Sequence, residues 1–124
     1  MRRRRVLKTR YFQRWVRAHR LADEVLLRSV SEMEQGLVGA DLGGGVVKKR
    51  IGLSGRGKRG GARVILATDR WRWFFMYGFA KSERSNISRQ ELDALRQLAG
   101  DLLALSEDQI DDQTKSGAFT EIIG

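Results

Sequence analysis

Residues 71 to 80, WRWFFMYGFA, place Trp71, Trp73, Phe75, Tyr77 and Phe79 at every second position. A strand turns successive side chains to opposite faces, so this run predicts a strand with one aromatic face, which a small domain buries in its core. Two further strands precede it. VVKKRIGL (46–53) and ARVILAT (62–68) flank a glycine-rich loop, and Asp69 and Arg70 turn the chain into the aromatic strand. The spacing predicts an antiparallel meander.

The rest of the chain supplies helices. Residues 6–18 open as a short strand and continue as a helix, since Phe12, Trp15 and Val16 recur at helical spacing. A second helix covers Ala22 to Gln35, with Val25, Leu26, Val30 and Met33 on one stripe, Asp23 and Glu24 in the first turn and Gly36 as the stop. LVGADLGGG then reads as a loop. The third helix starts from a capping box, Ser88 three residues before Glu91, with Ile87 and Leu92 as a hydrophobic staple, and runs to about Leu105. The final stretch, residues 106–124, is acidic and short of periodic apolar residues. It reads as a mobile tail whose FTEII segment could add to a sheet edge. The expected fold is α+β, a small antiparallel sheet with two N-terminal helices and one C-terminal helix packed on one face. The expected organisation is a basic leader at 1–7, one domain at 8–105 and the acidic tail at 106–124.

Charge narrows the function. The chain carries a formal net charge of +9, with nine Arg and Lys in residues 1–20 and nine in residues 48–72, against Asp69 alone in the latter. Clustered bases are rewarded by polyanions through phosphate contacts and counterion release. With no Cys there is no disulfide, thiolate nucleophile or zinc–thiolate site, and a reducing cytoplasm is the natural setting. No apolar run approaches the ~20 residues that span a bilayer, and no membrane partner is expected. His19 lacks a second His or a nearby carboxylate and reads as a surface residue, and the acids at 107–112 lack a calcium-loop pattern, so no metal or other cofactor is expected.

The stretch KKRIGLSGRGKRGGARV (48–64) is the strongest candidate site, with seven bases and five glycines. It lacks the GxxxxGK[ST] pattern and the following helix of a nucleotide-hydrolase loop. A glycine-rich hairpin bearing Arg56, Lys58 and Arg59 suits phosphate capture, although a solvated hairpin tip is the plainer alternative. Alternation sends Lys48 and Arg50 to one face and Lys49 to the other, while Arg63 sits within an apolar strand without an obvious carboxylate partner. Lys81 and Arg84 lie just beyond the aromatic strand, where they could equally form a surface pair with Glu83.

Four segments together, GLVGADLGGGVVKKR, GKRGGARVI, FFMYGFAKSERSNIS and the helix ELDALRQLA, make the chain resemble the RelE toxin superfamily, especially its HigB-like branch, over about residues 8–105. The resemblance implies a toxin of a type II toxin–antitoxin system, neutralised by a cognate antitoxin that often carries a helix-turn-helix DNA-binding domain. It also implies a metal-independent mRNA endonuclease acting in the ribosomal A site. By position, Arg63 matches the family's phosphate-stabilising arginine, and Lys48 and Arg50 its paired strand bases. Lys81 and Arg84 match further basic residues of the catalytic segment, and Lys49 and Lys58 join the RNA-binding set. Two positions depart from the pattern: Ser82 stands where well-characterised members have Arg, and Ser88 where they have Tyr. The resemblance therefore supplies no general acid. A gyrase poison of the related ParE type and a non-catalytic nucleic-acid-binding module stay open as alternatives.

Overall fold

The computed structural model describes residues 3–53 and 61–123. Its elements run β1 (Arg5–Thr9), α1 (Arg10–His19), α2 (Asp23–Glu34), β2 (Ala40–Gly43), β3 (Val46–Ile51), β4 (Ala62–Thr68), β5 (Arg72–Ala80), α3 (Arg89–Leu103), α4 (Glu107–Lys115) and β6 (Phe119–Ile122). The strands form one six-stranded sheet in the order β2-β3-β4-β5-β1-β6. Every neighbouring pair is antiparallel except β1 with β5, which run parallel. The α+β class is as the sequence predicts, but the helices cover both faces rather than one.

Each face has its own core. On the first, Phe12 and Val16 of α1 and Leu26, Val30 and Met33 of α2 pack on Val47, Val64, Leu66, Trp73 and Phe75. On the second, Ala99 and Leu102 of α3 and Ile110 of α4 pack on Leu7, Val46, Ile65, Phe74 and Phe79. A sheet covered on both sides must carry apolar residues at consecutive positions, as β5 does, with only Tyr77 short of full burial.

Three local expectations are revised. The aromatic strand does not alternate throughout: between the pairs Ile65–Tyr77 and Leu66–Phe75 the register shifts, leaving Met76 as an extra residue. Trp73 and Phe75 therefore face α1 and α2, whereas Met76, Tyr77 and Phe79 belong to the α3 side. LVGADLGGG is not wholly loop, because Ala40–Gly43 pairs with β3 as an edge strand and turns back through Gly43, Gly44 and Gly45, all at positive φ. Residues 107–122 are not a mobile tail. Ser106 caps α4 in a second capping box with Gln109, and β6 adds to the sheet edge against β1, as one reading of FTEII allows.

Two arginines tie these pieces together. Arg5 of β1 meets Glu107, Asp111 and Glu121 at 3.2, 2.9 and 2.8 Å, so the acids of the C-terminal segment close on the basic N-terminal strand. The hydrogen bonds that Arg5 donates to Glu121 lead these contacts, outweigh the cost of burial and raise the Arg5 pKa above the ordinary arginine value. Arg72, which is buried, donates to the Leu103 and Leu105 carbonyls at 2.7 and 2.6 Å and so satisfies the end of α3. Asp69 holds it at 2.8 Å. Burial alone would raise the Asp69 pKa, but hydrogen bonds from Arg72 and from the Trp71 backbone outweigh it and keep the carboxyl below its usual range.

Gly78 is where α1 meets β5 most closely. A Cβ there would lie 2.7 Å from the Trp15 ring. Gly78→Ala should therefore cost about 1–3 kcal/mol by overpacking. That loss corresponds to a Tm drop of roughly 4 °C per kcal/mol, with a change in Trp15 emission as the ring is displaced. An unchanged Tm would show that α1 can retreat without loss.

Candidate functional site

Beyond the apolar contacts of α3, the second face of the sheet turns cationic towards β3. Lys48 and Arg50 alternate with core residue Val46 and so point to this face, as does Arg63 by its pairing with Arg50. In β5, Phe79 lies opposite Arg63 and Tyr77 opposite Ile65. The strand pairing thus brings Lys48, Arg50, Arg63, Tyr77 and Phe79 together on one surface.

Arg50 directly opposite Arg63 is an unfavourable cross-strand pair. Arg63 is partly buried, and its guanidinium has one long hydrogen bond, Nη1 to the Ala62 carbonyl at 3.4 Å. Burial, and after it the charge of Arg50, hold the Arg63 pKa below the ordinary arginine value. Among the described residues no carboxylate lies within ion-pair distance of Lys48, Arg50 or Arg63. Lys48 Nζ donates to Asn86 Oδ1 at 3.4 Å, a weak contact that leaves its charge uncompensated. Among the described residues these three cations therefore share one face without an acid to balance them.

Arg84 is differently employed. Its Nε donates to the Asn86 carbonyl at 2.9 Å, its Nη1 and Nη2 to the two Glu91 oxygens at 2.9 and 2.6 Å, and Nη1 also to the Tyr77 hydroxyl at 3.3 Å. Four of the five guanidinium hydrogens are thereby committed. The group also lies 5.6 Å from the centre of the Phe79 ring. Arg84 therefore fixes the loop and the Tyr77 hydroxyl, with its own charge largely balanced by Glu91. Lys49 faces the opposite side and binds Glu32 at 3.1 Å and the Leu37 carbonyl at 2.8 Å, apart from the other bases. Lys81 is exposed in the turn after β5, where its backbone N–H donates to the Gly61 carbonyl. Arg56, Lys58 and Arg59 lie outside the described residues.

Tyr77 is the residue that sequence reasoning assigned to the core. The bulge at Met76 turns it to the cationic face instead, where its ring stacks on Tyr11 at 5.6 Å. Burial first, then Tyr11 and Glu91, raise its pKa above the usual phenol value, with Arg84 opposing, so the hydroxyl keeps its proton at neutral pH. Ser88 is engaged as the cap of α3 and accepts from the Glu91 N–H at 3.1 Å. His19 packs against the Trp15 ring at 4.7 Å. Among the described residues no three His, Cys, Asp or Glu side chains gather as a metal site, and no helix is long and apolar enough to cross a membrane.

The Glu91 clamp has a pH signature. Hydrogen bonds from Arg84, then from the Ser88 backbone, bring its carboxyl from 4.5 down to about 2. A carboxyl depressed on folding contributes stability that is fully present above its unfolded pKa and is lost as pH falls through the folded one. Melting curves of wild type and Glu91→Gln should therefore differ most above pH 4.5 and converge towards pH 2. A gap of constant size across that range would contradict the clamp.

Comparison with known proteins fits this architecture. No curated protein matches the sequence significantly. The family profile described as the RelE toxin of the RelE/RelB toxin–antitoxin system matches residues 4–122, which include β1, α4 and β6 as well as the cationic face. On that match over nearly its whole length, the chain belongs to the RelE toxin family.

Proposed function

We propose that this toxin is a HigB-like, metal-independent endoribonuclease that cuts mRNA on the ribosome and so inhibits translation, and that a cognate antitoxin with a helix-turn-helix domain neutralises it in the cytoplasm. The observation that carries the reading is the shared face of Lys48, Arg50 and Arg63, none of which has a carboxylate within ion-pair distance among the described residues. Two arginines set opposite each other cost stability, and a bound phosphate offsets that cost.

The chemistry is attack of an RNA 2′-oxygen on the adjacent phosphorus, which breaks the bond to the 5′-oxygen and leaves a 2′,3′-cyclic phosphate. Negative charge grows on the non-bridging oxygens, and preorganised cations stabilise it. Arg63 and Arg50 hold that charge. Lys48 lies beside them to orient the phosphate while the 2′-hydroxyl proton leaves to water, and Lys81 adds positive charge just beyond β5, whereas Lys49 is held by Glu32 on the opposite face. Arg56, Lys58 and Arg59 join the RNA-binding set on their sequence alone. The departing 5′-oxygen needs a proton. With Ser88 committed to its helix cap, the Tyr77 hydroxyl is the donor, held in place by Arg84.

Primer extension on transcripts in a translating extract tests the reading. New 5′ ends should appear with wild type and vanish with Arg63→Ala and with Lys48→Ala. Intact transcripts at every dose of wild-type toxin would refute it, and inhibited supercoiling alongside intact mRNA would assign the protein to the gyrase poisons. Tyr77→Phe retains the ring stack and removes only the hydroxyl. It should slow cleavage about 10²–10⁴-fold, as loss of a general acid does, whereas a wild-type rate would leave the proton donor elsewhere.

A further inference from the structure

Beside the cationic face lies an apolar groove of about 470 Å³, lined by Tyr11, Met76, Tyr77, Leu95 and Leu98 among others. Tyr11 and Leu98 are large apolar residues left 57% and 38% exposed, so the groove is open at the surface. Tyr11 comes from the first turn of α1 and stacks nearly parallel on Tyr77, with 21° between the ring planes. Tyr77 belongs to both surfaces: its ring lines the groove and its hydroxyl meets Arg84. Its cross-strand partner Ile65 is two residues from Arg63, which places Tyr77 diagonally across from that arginine.

A phosphate on Arg63 therefore leaves its attached nucleoside beside a pair of stacked aromatic rings. Exposed aromatic surfaces next to basic grooves bind single-stranded nucleic acid by stacking on its bases, which every base can satisfy. We infer that Tyr11, backed by Tyr77, is a stacking subsite for one RNA base flanking the cleaved phosphate. The inference rests on the endonuclease reading above and extends it from the phosphate to the base. Two features favour RNA over a protein segment as the occupant: Tyr77 of the groove stands diagonally across the β4–β5 pair from Arg63, which has no carboxylate partner among the described residues, and the same Tyr77 carries the hydroxyl that Arg84 holds.

The test is a double-mutant cycle between ring and base. Ribosomes are programmed with an mRNA whose nucleotides on either side of the cleavage point are replaced singly by abasic residues, and cleavage rates are measured with wild type, Tyr11→Ala and Tyr11→Phe. One abasic position should slow wild type about 5- to 150-fold, the range that loss of a single stacked base brings. Tyr11→Ala should slow cleavage of the intact mRNA by a similar factor and lose nothing further on that abasic mRNA, while Tyr11→Phe stays near wild type.

Full additivity of the two losses, or a Tyr11→Ala variant that cleaves intact mRNA as fast as wild type, overturns the subsite and leaves the endonuclease standing. Undiminished cleavage combined with weakened neutralisation by the antitoxin overturns it too, and assigns the groove to the protein partner. Failure of wild type to cut the intact mRNA removes the endonuclease reading and the subsite with it. Tyr11 is more than half exposed, so its replacement leaves the core unaltered, and a matching melting curve verifies this for each variant.

Discussion

Strand β5 lies in the middle of the sheet with helices on both sides, and at Met76 it takes in one residue more than its partner β4. Below that point Trp73 and Phe75 face α1 and α2, and above it the same parity would have sent Tyr77 and Phe79 there as well. The bulge reverses the parity, so Gly78 faces Trp15, Phe79 stands opposite Arg63 and Tyr77 opposite Ile65 on the same face. A single inserted residue thus lets one strand supply a tight core to α1 and an aromatic floor to the cationic surface. Bulges recur beside functional sites for this reason, since they re-aim side chains without ending the strand.

Positive charge in this protein has two uses, and partners separate them. Arg5 and Arg72 are held by carboxylates and carbonyls, and they join β1 to the C-terminal segment and β5 to the end of α3. Lys8, almost fully buried, meets Asp23 at the start of α2 in the same manner. Lys48, Arg50 and Arg63 have no such acid among the described residues. A basic composition alone would give all six equal weight.

Much of this was legible in the chain. The β3–β4–β5 meander, α2 and the Ser88–Glu91 capping box follow from patterning, and the face shared by Lys48, Arg50 and Arg63 follows from alternation and hairpin pairing. The bulge was not legible, because WRWFFMYGFA is apolar on both faces and alternation cannot show where parity changes. Strand β2 was hidden by its Gly and Asp residues, which have low strand propensity and are held by pairing at an edge. Helix α4 carried a readable start, Ser106 three residues before Gln109, but it buries only Ile110 and so lacked the apolar stripe that marks α3. The double engagement of Arg84 with Glu91 and Tyr77 joins residues of three separate elements and leaves no periodic trace.

Strand β1 pairs in parallel with β5 and on its other edge with β6, where Val6 stands opposite Ile122. At a synthesis rate of about 5–20 residues per second, the β6 partner of β1 is made roughly 6 to 23 s after β1 itself. Until then the nascent chain carries a strand with bare N–H and C=O groups and the apolar side chains Val6 and Leu7. Whatever pairs with β1 in that interval competes with β6 for the same edge. The order of the strands therefore gives translation itself a part in deciding when this toxin becomes a finished fold.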